Sequence, residues 1–207
     1  MTKARAALVI LVSGRGSNLQ AIIDAANRDL PVYIAAVISN QPEALALERA
    51  RQTGIATHVV DHRAFANREA FEHTLRDTID RYHPALVVLA GFIRILTGAF
   101  VAHYRARLIN IHPSLLPAFP GLNTHARVLA AGHQQHGASV HFVTEQVDGG
   151  PIIIQARVPV LPGDTPQTLA DRVLEQEHRI LPQAIRWFVE GRLALRNGLV
   201  LLDGKPA

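Results

Sequence analysis

The sequence contains no cysteine, which excludes disulfides, thiolate nucleophiles and cysteine-ligated metal sites. Lysine is almost as scarce, with Lys3 and Lys205 the only two among 21 basic residues. The remaining basic residues are scattered arginines, without the dense run or aromatic interleaving of a nucleic-acid surface. No nucleic-acid partner is therefore expected, and the net charge of +4 suits a small anionic ligand better than a polyanion. No apolar run approaches the roughly 18 to 20 residues of a membrane span, and Ala6 to Val12 is too short for the apolar core of a secretory signal. No membrane association is expected, and the reading is a cytoplasmic protein. Eleven histidines are present, but none stands in a His-Glu-x-x-His or comparable spacing, so no metal is expected.

What is there suits one α/β domain: 207 residues, 48% hydrophobic and 18% charged, enough for a sizeable core. Ala6 to Val12 reads as a central strand buried on both faces. It runs into Ser13-Gly14-Arg15-Gly16-Ser17-Asn18, after which Leu19, Ala21, Ile22 and Ile23 open a helical pattern. A strand, a small-residue turn and a helix start make a phosphate cradle, because glycines let the backbone approach and the helix terminus favours an anion. A plain βα turn with Ser17 or Asn18 as an ordinary cap is the alternative. The turn lacks the Gly-Lys-Ser/Thr of a P-loop, and Leu19 interrupts Gly-x-Gly-x-x-Gly.

Further strands are expected at Val32 to Ser39, Thr57 to Val60 and Leu86 to Ala90, alternating with helices at Glu43 to Thr53, closed by Gly54, and Asn67 to Tyr82. This alternation predicts a doubly wound, mostly parallel sheet. After Leu86 to Ala90 comes Gly91-Phe92-Ile93-Arg94-Ile95-Leu96, an apolar loop with one arginine that suits a flat ligand with polar edges; a buried crossover loop is the bland alternative. Thr97 should cap a short helix. Residues 113 to 125, rich in proline and glycine, read as a partly mobile active-site loop. Ser139 to Val143 and Ile152 to Val160 read as added strands, Thr165 to about Glu190 as a long helix that Pro182 should kink, and Asn197-Gly198 as a hairpin turn.

The most informative stretch is Leu108-Ile109-Asn110-Ile111-His112-Pro113-Ser114-Leu115-Leu116-Pro117. Alternation puts Asn110 and His112 on one face of a strand that Pro113 ends. Both polar side chains thus sit at the strand's carboxyl end, where open parallel sheets bind ligands. Asp148, in Asp148-Gly149-Gly150-Pro151, would by itself be an ordinary turn aspartate.

Together, Ser13 to Leu19, Ala90 to Leu96, Asn110 to Pro117 and Asp148 to Pro151 resemble the phosphoribosylglycinamide formyltransferases, the 10-formyltetrahydrofolate-dependent transferases of purine biosynthesis. The similarity runs from about Leu8 to Trp187. It implies a single Rossmann-like formyltransferase domain over 1–207, with a phosphate-binding half at about 1–110 and a folate-binding half with the added strands and long helix at about 111–207. It implies that Asn110, His112 and Asp148 are catalytic, with Asn110 and a protonated His112 donating to an oxyanion and Asp148 raising the His112 pKa. It implies that Gly14, Gly16, Ser17, Asn18, Gly91 and Glu177 bind glycinamide ribonucleotide. It also implies that Arg68, Ile93, Arg94, Ile95, Leu96, Asn110 and the run Val143, Thr144, Glu145, Gln146, Val147 and Asp148 bind the folate. The co-substrate would be 10-formyltetrahydrofolate, without a metal, and the chain a monomer or weak homodimer.

Three positions depart from the familiar pattern. Arg15 and Ile93 stand where Asn and Met are familiar, and Asn123 where a histidine is often found. A methionyl-tRNA formyltransferase would be expected to carry a C-terminal tRNA domain, whereas this chain ends about 95 residues after His112. A formyltetrahydrofolate hydrolase would be expected to carry an N-terminal regulatory domain. A nucleotide-binding module with a decayed site is the non-enzymatic alternative, and the intact Asn110, His112 and Asp148 set argues against it.

Overall fold

The computed structural model describes residues 5–206; residues 1–4, Lys3 among them, and 207 lie outside the described residues. The chain divides into two compact units, Met1–Ile109 and Asn110–Ala207.

In the first unit β1 (Ala6–Val12) carries the apolar run expected of a central strand, and Leu8 to Val12 are fully buried. It pairs in parallel with β2 (Val32–Ser39), which pairs in parallel with β3 (Ala56–Val59), and on its other side with β4 (Leu86–Leu89). Between these strands lie α1 (Ser17–Arg28), α2 (Leu45–Gln52), α3 (Arg68–Asp80) and α4 (Gly98–His103). The apolar face of α1 buries Leu19, Ile22 and Ile23, each worth about 1.5 to 3 kcal/mol relative to exposure. Asn67 caps α3 by accepting the Ala70 N–H, which makes Arg68 its first residue. Helix α2 starts two residues later than Glu43, because Ala44 keeps extended backbone. Gly54 after it takes φ +73°, as its expected place beyond the helix end requires.

Strand β5 (Leu108–His112) leads into the second unit, which holds α5 (Thr124–Ala130), β6 (Gln135–Phe142), β7 (Ile152–Pro159), α6 (Pro166–Val189) and the terminal strands β8 (Leu193–Arg196), β9 (Leu199–Leu202) and β10 (Lys205–Pro206). The strand order β3-β2-β1-β4-β5-β6-β7 makes a seven-stranded, mostly parallel sheet with flanking helices, and β8 to β10 form a separate three-stranded antiparallel sheet. Asn197 and Gly198 both take positive φ, the geometry an Asn-Gly hairpin turn needs. The Thr165 side chain caps α6, which continues through Pro182 to Val189.

Two elements of the second unit also differ from expectation. Strand β6 starts four residues earlier than Ser139, because antiparallel pairing with β7 runs from Gln135 opposite Pro159. Its Gly137 is obligatory, since a Cβ there would stand 2.0 Å from the Ala156 carbonyl oxygen. Helix α5 begins at Thr124 inside the stretch read as loop, entered through Asn123 in left-handed conformation, which asparagine tolerates better than most side chains. Residues 114 to 116 are tied to the sheet by a polar cluster. Buried Ser139 donates to the Ser114 carbonyl at 2.6 Å and accepts from the Leu116 N–H at 3.1 Å, while Gln155 donates to Ser139 Oγ and to the Leu116 carbonyl, both at 2.8 Å.

Candidate active site

The turn after β1 is built around close backbone approach. Gly16 takes φ +74° as N-cap of α1, and a Cβ on it would lie 2.6 Å from Ala46 Cβ and 2.7 Å from Ala46 Cα. The Ala46 N–H donates to the Gly14 carbonyl at 3.1 Å, and Arg49 Nε donates to the Arg15 carbonyl at 2.9 Å. The first turn of α1 has no acidic residue and its N-cap makes no side-chain bond, so the positive end of the helix dipole is left for an anion. The Ser13 hydroxyl donates to Asn40 Oδ1 and accepts from the Ile93 N–H at 2.8 Å, while the Ser13 N–H donates to the Gly91 carbonyl at 3.0 Å. The cradle and the 91–96 segment are thereby joined within the first unit. The two unfamiliar residues, Arg15 and Ile93, make these bonds through backbone.

In the 91–96 segment Phe92 and Leu96 point inward, whereas Ile93 and Ile95 are 63% and 56% exposed. Two apolar side chains held in solvent after a strand suit a ligand face. The segment's far end is anchored by buried Glu72 of α3, whose carboxylate accepts from both the Thr97 N–H, at 2.9 Å, and the Thr97 hydroxyl. Arg68 lies exposed at the start of the same helix.

The second unit gathers Asn110, His112 and Asp148. His112 Nδ1 is 3.3 Å from Asp148 Oδ2, and His112 Nε2 is 3.0 Å from the Phe119 carbonyl oxygen. Asn110 Nδ2 is 3.5 Å from Asp148 Oδ1. Asp148 also accepts the Gly121 N–H at 2.8 Å. It is held at φ +50°, and the turn that carries it is fixed by Gly150, where a Cβ would meet the Phe142 carbonyl oxygen at 1.7 Å. The aspartate is thus far from an ordinary solvated turn residue. Residues 145 to 147 are exposed beside it, and Glu177 is buried on α6.

Opposing influences act on the two ionisable groups of the cluster. Burial is the largest influence on His112 and holds its pKa below the ordinary histidine value, although the Phe119 carbonyl and the Asp148 carboxylate both pull it upward. Asp148 acts in the expected direction, but desolvation of a ring only 6% exposed outweighs it. For Asp148 burial acts upward, yet the neighbouring His141 and His112 rings and the hydrogen bond from the Gly121 N–H together hold its pKa below the usual carboxylate value.

A model of the formyl transferase family matches residues 6–185. The chain belongs to the formyl transferase family. Over 199 residues it is 54% identical to the phosphoribosylglycinamide formyltransferase of Escherichia coli, covering 96% of this chain and 94% of that one. The solved phosphoribosylglycinamide formyltransferase of Coxiella burnetii superposes with a TM-score of 0.95 at 54% identity, covering 98% of this chain and 95% of the other. A formyltetrahydrofolate deformylase from Pseudomonas putida shares the fold at 25% identity with a TM-score of 0.86, covering 98% of this chain and 71% of its own.

Sequence reasoning missed three histidines of this formyl transferase family member. His141 is 2% exposed, with Nε2 3.2 Å from Asn110 Nδ2 and 3.7 Å from Asp148 Oδ1. His125 Nδ1 and His136 Nε2 stand 3.1 Å apart, and burial lowers the pKa of both, that of His136 to about 4. One signal was available: Ser139 and His141 are polar residues two apart in the otherwise apolar run Ser139 to Val143, the same pattern that drew attention to Asn110 and His112. Among the described residues no group of three or more His, Cys, Asp or Glu could hold a metal, and no helix is long and apolar enough to cross a membrane.

Proposed function

We propose that the chain transfers the formyl group of 10-formyltetrahydrofolate to the primary amine of glycinamide ribonucleotide, a step of purine biosynthesis, as a cytoplasmic monomer or weak homodimer. The observation that carries this reading is 54% identity across nearly the whole length of a phosphoribosylglycinamide formyltransferase. The glycine-rich turn with an open helix terminus and the Asn110, His112 and Asp148 cluster support it.

In this reading Gly14, Gly16, Ser17 and Asn18 take the ribose phosphate, Gly91 contacts the ribonucleotide, and Glu177 bonds the ribose hydroxyls. Ile93, Arg94, Ile95, Leu96 and residues 143 to 148 take the folate, with Arg68 near it. The amine attacks the formyl carbon and forms a tetrahedral intermediate with an anionic oxygen. An Asn110 N–H and His112 Nε2, turned from the Phe119 carbonyl, donate to that oxygen, and such a donor is typically worth about 3 to 4 kcal/mol of barrier. In this reading His112 is protonated: its two ring nitrogens face acceptors, the Phe119 carbonyl and the Asp148 carboxylate, which favour the imidazolium against the burial that opposes it. Collapse breaks the bond to folate N10. The amine has then lost one proton and N10 has gained one, the transfer being relayed through water.

The test is to follow the folate absorbance change with purified protein, with and without glycinamide ribonucleotide. A change that requires the amine and yields the formylated ribonucleotide is the expected result. An amine-independent change would replace this reading with hydrolysis, and no change would remove the assigned substrates.

A further inference from the structure

We infer that His141 is a positioning residue for Asn110, setting which end of the Asn110 side-chain amide is presented to the reaction. His141 Nδ1 lies 2.9 Å from the Phe142 carbonyl oxygen. A carbonyl can only accept, so Nδ1 carries a proton, and Nε2 of the neutral ring is left as an acceptor. That acceptor stands 3.2 Å from Asn110 Nδ2, and Asp148 Oδ1 stands 3.5 Å from the same nitrogen. Two acceptors at one end of the amide admit its NH₂ group and exclude its oxygen, because the flipped amide would set Oδ1 against a carboxylate oxygen.

The two bonds are unequal. The one to His141 is firm, and the one to Asp148 lies at the limit of hydrogen bonding. His141 is 2% exposed on β6, where its backbone stands opposite Ile152, so its ring has little room to swing. It therefore holds one N–H of Asn110 and fixes the plane of the amide, so that the second N–H, only weakly engaged by Asp148, keeps a set direction along which it can donate to a developing oxyanion. This role depends on the formyl-transfer reading for its consequence, but the orientation itself does not.

The test uses the full chain with His141→Ala, His141→Gln, Asn110→Ala and the double variant His141→Ala with Asn110→Ala. The Asn110 side-chain NH₂ signal is assigned in nitrogen-15 NMR by its loss in Asn110→Ala. It should shift in His141→Ala and return toward its original position in His141→Gln, whose carbonyl can accept the same bond. In formyl transfer, His141→Ala should lower kcat by about 10-fold or more, a part of the 10²- to 10³-fold lost when such a donor is deleted. Both KM values should stay close to those of the wild type, because losing an interaction made only in the transition state lowers kcat and kcat/KM together. His141→Gln should recover kcat, and His141→Ala should cost nothing further on top of Asn110→Ala. A general packing role predicts instead a raised KM for both substrates, lower stability and kcat losses that add to Asn110→Ala. That outcome, or an Asn110 signal unmoved in His141→Ala, overturns the proposal. If the wild-type chain fails to transfer formyl groups, the NMR comparison still decides the orientation.

Discussion

Gly16→Ala tests the cradle most directly. The new Cβ would meet Ala46 Cβ at 2.6 Å and Ala46 Cα at 2.7 Å, on a residue held at φ +74°. Left-handed backbone costs a residue with a Cβ about 1 to 2 kcal/mol, and forcing a methyl into filled space costs about 1 to 3 kcal/mol more. The sum, about 2 to 5 kcal/mol, should appear in urea unfolding. Because relief requires the turn to move away from α2, the KM for the ribonucleotide should rise more than the KM for the folate. Ala46→Gly removes one of the two contacts, at about 1 kcal/mol of helix propensity. In the double variant the steric cost should fall while the backbone strain persists, so the two substitutions should couple favourably by about 1 to 2 kcal/mol. A Gly16→Ala chain within 0.5 kcal/mol of wild type, or strictly additive substitutions, would refute the close-approach reasoning.

Three further outcomes are expected. Asp148→Asn removes an upward influence on His112, so the basic limb of the kcat/KM profile, where the donating imidazolium is lost, should move to lower pH while the rate falls, and an unmoved limb would dissociate the pair. His136 titrates near 4 when folded and near 6.5 when unfolded, so between those values the unfolded chain binds more protons and stability rises with pH. Lowering the pH from 7 to 4 should thus cost up to about 3 kcal/mol from this group, and His136→Gln should flatten the dependence in denaturant titrations; an equally steep curve would reject the assignment. Glu72→Ala orphans the Thr97 N–H and hydroxyl and should cost about 1 to 3 kcal/mol, with Glu72→Gln recovering part because its carbonyl still accepts; unchanged thermal unfolding in Glu72→Ala would argue that the pair is immaterial.

The stretch proposed as catalytic was legible because its logic is local. Alternation and Pro113 place Asn110 and His112 on one face at a strand end, and the glycines of 13–18 announce a turn between a buried strand and a helix. Asp148 could be joined to them only through family resemblance, since 36 residues separate it from His112 and nothing in Asp-Gly-Gly distinguishes a buried partner from a solvated turn. Helix α5 was hidden by the proline and glycine around it, and the start of β6 by the polar Gln134-Gln135-His136-Gly137, which pairing with β7 makes a strand.

The sequence by itself determined the alternation of strands and helices, the parallel sheet, the glycine-rich turn after β1 and the polar pair at the end of β5, because each depends on neighbours within a few residues. Tertiary structure alone decided that His141 faces Asn110 across 31 positions and that His125 meets His136. It also decided that burial and the Asp148 carboxylate pull the His112 pKa in opposite directions. Those facts depend on distance and desolvation, which arise only when segments remote in sequence are packed together.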